Sequence, residues 1–186
     1  MNKVLISILG QDQPGIVAVV ARTISACHGN IENVSQTLLQ DVFAALMIVS
    51  LPADAGPESL QQALQNSCAG LDLVVHVDRY RVSPAPRVRP EVQPYVVTVI
   101  GPDRQGLVAE VATPLARHGV NITNMQAIFK GGNKPLDNLM IFEVDVPRQT
   151  VMDELRNDMQ TIAGQLGLEI NIQHRKIFEA VSSIDR

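Results

Sequence analysis

The chain has 186 residues, of which 46% are hydrophobic, 18% charged and 3% aromatic, and its formal net charge is −4 at pH 7. This composition is typical of a globular protein in water, and the negative balance argues against a nucleic-acid surface spread over the whole molecule. The longest apolar run, Val42 to Val49, is far shorter than the roughly 20 residues that cross a bilayer, so no membrane-spanning segment is expected.

The first half of the chain reads as strand, helix, strand, strand, helix, strand. A short apolar strand covers Val4 to Leu9, and the helix that follows has its apolar positions on one face, at Ile16, Val20, Ile24 and Cys27. Two further strands are predicted over 31–39 and 42–51. The second helix has apolar positions Leu60, Leu64 and Cys68, and the last strand alternates from Leu71 to Val77.

A proline-rich segment separates this half from the next. It reads RVSPAPRVRPEVQP from Arg81 to Pro94, and its four prolines remove backbone donors and fix backbone angles. The segment is therefore predicted to be an extended linker. We expect a first domain over residues 1–82, a linker over 83–92 and a second domain over 93–186.

The second half repeats the pattern of the first. Its first strand is predicted over Tyr95 to Ile100, and its first helix carries Leu107, Val111 and Leu115 on one face. Strands follow over 122–130 and 138–146, then a helix with apolar positions at Val151, Leu155, Met159, Ile162 and Leu166. The chain is therefore a tandem repeat of βαββαβ units, and each predicts a ferredoxin-like α+β fold with an antiparallel sheet and both helices on one face.

The register of the repeat is read from matching letters. The offset is constant from Gly10, matched to Gly101, up to Asn33, matched to Asn124. Further on, LMI at 46–48 matches LMI at 139–141, and GLDLVV at 70–75 matches GLEINI at 167–172. This alignment predicts that the hairpin of the second copy is two residues longer than that of the first.

The repeated loop between the first strand and the first helix is the candidate binding element. It reads GQDQPG in one copy and GPDRQG in the other. Asp12 and Asp103 are predicted to cap the helix, since aspartate accepts hydrogen bonds from first-turn amides. Gly15 and Gly106 leave the start of the helix bare, where backbone amides favour a carboxylate or phosphate. The alternative is that each loop is only a well-capped turn.

These motifs resemble those of ACT domains, βαββαβ modules that bind amino acids. The tandem most resembles the glycine cleavage system transcriptional repressor family, although Gln105 stands where that motif has proline. In the family the loop meets a neighbouring module and the amino acid binds at the interface. Carried over, the resemblance implicates Asp12, Gln13, Pro14, Gly15, Asn30, Ile31, Asp103, Arg104, Gln105, Gly106, Asn121 and Ile122. An arginine at 104 is suited to pairing with a carboxylate, and a solvated surface arginine is the alternative.

The resemblance implies a non-catalytic regulator of transcription. Its ligand would be a small amino acid, with glycine as the first candidate, and its protein partner a transcription activator of glycine cleavage genes. A cytoplasmic homo-oligomer is expected, without cofactor, membrane contact or direct nucleic-acid binding. The histidines lack metal-ligand spacing and no nucleophile motif is present, so neither a metal site nor catalysis is predicted.

One alternative remains open, and two others lack the residues that they require. Similar modules precede the catalytic domain of formyltetrahydrofolate deformylase, so the chain is alternatively a detached regulatory module of an amino-acid or one-carbon enzyme. A ferredoxin-like acylphosphatase would need more of its signature than Arg104 and Asn121. An RNA-recognition sheet would need a stacking platform of aromatic residues, and Phe43, Phe129 and Phe142 are too scattered to form one.

Overall fold

The computed structural model describes residues 2–81, 91–129 and 138–177. The chain divides into two compact units, Met1–Ala85 and Pro86–Arg186. Each unit contains one four-stranded antiparallel sheet and two main helices. Almost all of the predicted linker at 83–92 lies outside the described residues, so its boundaries stay a prediction.

The first unit has the element order predicted from its sequence. Its elements are β1 (Asn2–Gln11), α1 (Ile16–Ala26), β2 (Asn30–Leu39), β3 (Val42–Leu51), α2 (Pro57–Ser67) and β4 (Leu73–Arg79). The strands lie side by side in the order β2-β3-β1-β4, and each neighbouring pair is antiparallel. This arrangement is the predicted ferredoxin-like topology.

The second unit repeats that topology. Its elements are β5 (Val92–Gly101), α3 (Leu107–Arg117), β6 (Asn121–Phe129), β7 (Asn138–Pro147), α4 (Met152–Leu166) and β8 (Glu169–His174). The strand order is β6-β7-β5-β8, which is the order of the first sheet, and all pairs are again antiparallel. The predicted tandem of α+β units is confirmed.

One face of the first sheet packs on the helices. Along β1 the residues Val4, Ile6 and Ile8 are buried, and they meet the apolar face of α1. Of the four residues predicted to form that helix face, three are buried and Cys27 is half-buried. The opposite sheet face carries exposed apolar side chains, among them Leu9, Leu46 and Val74. The unit therefore has two layers, as the one-sided helices predicted.

The strand pairings correct the predicted register of the repeat. Ile6 pairs with Met47, and its counterpart Val97 pairs with Phe142. Met47 therefore corresponds to Phe142, whereas the letter match had aligned it with Met140. In the last strands Ile8 pairs with Val75 and Val99 with Ile170, so Val75 corresponds to Ile170, whereas the letter match had aligned it with Ile172. The two-residue estimate was wrong: the extra length is four residues, all inserted between β6 and β7.

A side chain from the second helix of each copy covers the outer edge of the last strand. The Gln61 Oε1 atom accepts a hydrogen bond from the Val77 N–H at 3.1 Å. In the second copy the Arg156 Nη1 atom donates to the Ile172 carbonyl oxygen at 3.3 Å. The corrected register makes these equivalent positions, so both copies satisfy an otherwise unpaired backbone group at the same edge.

Candidate functional site

The repeated loop enters each first helix through a glycine and not through an aspartate. The N-cap residues are Gly15 for α1 and Gly106 for α3, and neither helix has a side-chain cap. The prediction that Asp12 and Asp103 cap these helices was therefore wrong. Both aspartates lie three residues before the N-cap and are exposed. Capping requires a side chain next to the first turn, and the intervening residues of the loop carry these carboxylates away from it.

Both N-cap glycines have a backbone that other residues rarely adopt. The φ angle is 100° at Gly15 and 83° at Gly106. A Cβ atom built at either position would meet no atom outside the neighbouring residues within 4 Å, so the space beside each N-cap glycine is open. The first intrahelical bond of α1 joins the Val19 N–H to the Gly15 carbonyl. The first-turn amides before Val19 therefore face an open space that is suited to an anionic group.

The first loop is tied to the rest of its unit. The Gln13 Nε2 atom donates to the Leu71 carbonyl oxygen at 2.8 Å, and the Asp12 N–H donates to the Asp41 carbonyl oxygen at 2.8 Å. Pro14 lies between them and the N-cap and is exposed. The position of Gln13 is taken by Arg104 in the second copy. Arg104 is exposed and makes no side-chain hydrogen bond or ion pair to the residues that the structure describes.

The first glycine of each loop has a different function from the second. Gly10 pairs with Leu73, and a Cβ atom there would lie 2.5 Å from the Asp72 carbonyl oxygen. In the second copy a Cβ atom at Gly101 would lie 2.5 Å from Cδ2 of Leu168. These glycines let the turn before the last strand pack closely against the first strand. The repetition of glycine at these positions is therefore explained by packing.

The asparagine–isoleucine pairs lie at the far end of the sheet from the loops. Asn30 is the first residue of β2 and aligns with Ser50, which in turn pairs with Lys3 near the start of β1. The loop follows the other end of β1, about 25 Å away at the rise of an extended strand. Asn121 and Ile122 open β6 in the same way. Within one copy, the structure does not bring these pairs to the loop.

Both asparagine–isoleucine pairs lead into an irregularity of the strand. The pairing of β2 with β3 shifts between Ile31 and Asn33, and that of β6 with β7 shifts between Ile122 and Asn124. Such a bulge bends the strand and turns its side chains relative to the sheet. Ile31 and Ile122 pack against the cores of their units. The isoleucines therefore have a structural function at this position.

A buried asparagine at the loop end of the second sheet was missed from the sequence. Asn138 opens β7, pairs with Gly101, and has only 2% of its surface exposed. Neither its Oδ1 nor its Nδ2 atom has a hydrogen-bond partner among the residues that the structure describes. An unpaired buried amide costs about 1–3 kcal/mol. In the first copy Phe43 pairs with Gly10 and occupies the equivalent position, where it is 2% exposed.

Few other polar groups in the described residues offer chemistry. His118 and Asp158 form a contact of 2.9 Å between α3 and α4. Burial raises the pKa of the Cys68 thiol, which disfavours its reactive thiolate form. Residues 2–81, 91–129 and 138–177 contain no group of three or more metal-binding side chains. In the same residues, no helix is both long enough and apolar enough to cross a bilayer.

The fold and the loops define a tandem of ferredoxin-like βαββαβ modules. In each module the first helix begins at an N-cap glycine and has no side-chain cap. Family models described as the ACT domain match residues 2–78 and 95–157. Among curated relatives, a UPF0237 protein from Methanopyrus kandleri is 39% identical over 85 residues, which is 44% of this chain and 94% of the relative. A UPF0237 protein from Streptococcus mutans is 32% identical over 91 residues, covering 48% of this chain and 97% of the relative. The chain belongs to the ACT-domain family, with two ACT domains in tandem, and to the UPF0237 proteins through this shared stretch.

Two solved structures share the fold over nearly the whole chain. An unknown protein from Galdieria sulphuraria has a TM-score of 0.73 at 23% identity and covers 93% of this chain and 98% of its own. A protein proposed to be a glycine cleavage system transcriptional repressor has a TM-score of 0.68 at 16% identity, with the same coverage. At these identities the likeness concerns the fold, and it includes the tandem arrangement of two ACT domains.

Proposed function

We propose that this chain is a regulatory protein that binds a small amino acid and passes the signal to a protein partner. Support comes from its membership in the ACT-domain family and from the open, uncapped starts of α1 and α3. The proposal contains no catalytic step, no cofactor and no metal.

The single observation that carries the proposal is the geometry of the N-cap glycines. Gly15 and Gly106 enter the helix with a positive φ and no side chain, and a Cβ atom built at either position would meet no atom outside the neighbouring residues within 4 Å. The partial positive charge of a helix N-terminus favours a carboxylate at such a place. The loop residues 12–15 and 103–106 are the proposed binding residues, and Arg104 is a second partner for the carboxylate.

The partner we propose is a transcription activator of glycine cleavage genes. The mechanism is linkage: an amino acid that binds one arrangement of the modules more tightly shifts the population toward it, and the affinity for the partner changes with it. The chain is expected to work in the cytoplasm as a homo-oligomer. Co-purification with the activator of the same organism, with and without glycine, tests this part of the proposal.

Ligand binding is tested by thermal unfolding with each of the twenty standard amino acids, followed by calorimetric titration. A ligand that binds only the folded protein raises its melting temperature. We expect glycine or another small amino acid to do so, and the D-enantiomer of a chiral hit to serve as a matched control. If none of the twenty shifts the melting temperature or gives a binding isotherm, amino-acid sensing is excluded.

A further inference from the structure

The first glycine of the repeated loop pairs with a different residue in each copy, Phe43 in the first and Asn138 in the second. At the position where the first copy buries the aromatic ring of Phe43, the second copy buries the amide of Asn138. The ring belongs to the hydrophobic core of its unit. The amide lies on the same helix-covered sheet face as Met140 and Phe142, yet neither of its polar atoms has a partner in residues 2–81, 91–129 and 138–177.

Asn138 lies at the end of the sheet where the chain enters α3. It pairs with Gly101, the last residue of β5, and the loop from there leads to the N-cap at Gly106. The helix packs across the same face through Leu107, its first residue, which is 3% exposed. A buried amide without a partner among the described residues therefore lies at the same end of the sheet as the uncapped N-terminus of α3.

We propose that the second copy is the ligand-binding copy and that Asn138 contacts the ligand there. This inference rests on the proposed function and narrows its two candidate loops to one: residues 103–106 bind the ligand, and residues 12–15 do not. The ligand class is an α-amino acid in its zwitterionic form. The Leu107 N–H already donates to the Arg104 carbonyl oxygen at 3.3 Å, so the carboxylate accepts hydrogen bonds from the Val108 and Ala109 amides and from Asn138 Nδ2. The ammonium group donates to Asn138 Oδ1.

The first copy lacks both features that the second offers. Phe43 has no polar atom to present, and Gln13 holds the first loop against the Leu71 carbonyl oxygen at 2.8 Å. In the second copy the position of Gln13 is taken by Arg104, whose side chain is exposed. Because Asn138 is buried, a ligand reaches it when the loop at residues 102–106 moves aside. The first copy then has a structural function, and the chain binds one ligand.

Calorimetric titration of the full chain with glycine, or with the amino acid that gives the largest thermal shift, tests this assignment. We expect one molecule bound per chain. Asn138→Leu, which is similar in size and removes both polar atoms, should weaken binding at least tenfold and leave the unliganded melting temperature unchanged or higher. Phe43→Leu is the matched control in the first copy, and it should lower the melting temperature without changing the affinity.

Side-chain amide NMR gives a direct measurement. The Asn138 NH₂ resonances, assigned by their loss in Asn138→Leu, should shift when the amino acid is added. If Asn138→Leu is insoluble, Asn138→Phe takes its place, because the first copy accommodates phenylalanine at this position. Two equal sites per chain, or wild-type affinity in the Asn138 variant, would overturn the inference and leave the proposed function standing. The absence of any amino-acid binding by the wild type would overturn both.

Discussion

Substitutions at Gly106 distinguish two effects: the cost of a positive φ for a residue with a side chain, and the loss of open space beside the start of α3. An L-residue held in the left-handed region costs about 1–2 kcal/mol, and the stiffer unfolded chain returns about 0.4–1 kcal/mol of that cost. No neighbour lies within 4 Å of the new Cβ atom, so no steric cost is added. Gly106→Ala should therefore cost about 1 kcal/mol, which lowers the melting temperature of a unit of this size by about 4–8 °C.

Gly106→Asn is the informative companion, because asparagine visits the left-handed region more readily than alanine does. Its larger side chain enters the space in front of the helix amides. We expect it to lose less stability than Gly106→Ala but at least tenfold in amino-acid affinity. Differential scanning calorimetry and titration calorimetry provide the two measurements.

The same pair of substitutions at Gly15 is the control for these measurements. Its φ angle of 100° makes the same demand on the backbone, so the loss of stability should be similar. Amino-acid affinity should not change if only the second copy binds. The reasoning is refuted if affinity follows stability across the four variants, or if Gly106→Asn binds as tightly as the wild type.

Three further predictions concern stability and reactivity. Gly10→Ala should lower the free energy of unfolding in urea by about 3 kcal/mol or more, because its methyl group would clash with a backbone carbonyl oxygen. Gly101→Ala should lower it by less, because the nearest atom there is the end of a flexible leucine side chain. Equal losses in the two variants would contradict this explanation. Asp12→Ala should change the unfolding free energy by no more than about 0.5 kcal/mol, since its side chain caps no helix, and a loss above 1 kcal/mol, on the order of a lost N-cap, would speak for a cap after all. Cys68 should react with a thiol reagent at pH 8 only after urea is added, because it is buried and its pKa is raised; rapid labelling of the native protein would show that this thiol is accessible.

Much of the fold follows from the sequence because its signals are local. One-sided apolar spacing marked the helices, alternation marked the last strands, and the repeated loop showed that the chain is a tandem. The capping prediction failed because an aspartate near a helix start looks the same whether it lies at the N-cap or three residues before it. In this chain the deciding feature is the backbone angle of Gly15, which a single sequence does not display.

Asn138 was not recognised as a candidate site residue because the two copies were aligned incorrectly in this region. Matching the letters LMI placed the second hairpin two residues out of register, so Asn138 was never compared with Phe43. Strand pairing through Gly10 and Gly101 makes that comparison directly. The polar residue before the apolar run LMIF was visible in the sequence, but its burial depends on tertiary packing that a single sequence does not display.

The side-chain hydrogen bonds to β4 and β8 make the two edges of each sheet unequal for pairing with another chain. Gln61 and Arg156 each satisfy one backbone group on the edge of β4 or β8, so within the described residues we expect an incoming chain to pair more readily beside β2 or β6. Beyond their bulges, these open strands read NVSQTLL and NMQAIF, without a charge or a proline to discourage pairing. We therefore expect one lysine placed in each stretch to reduce association of the protein at high concentration during purification and storage.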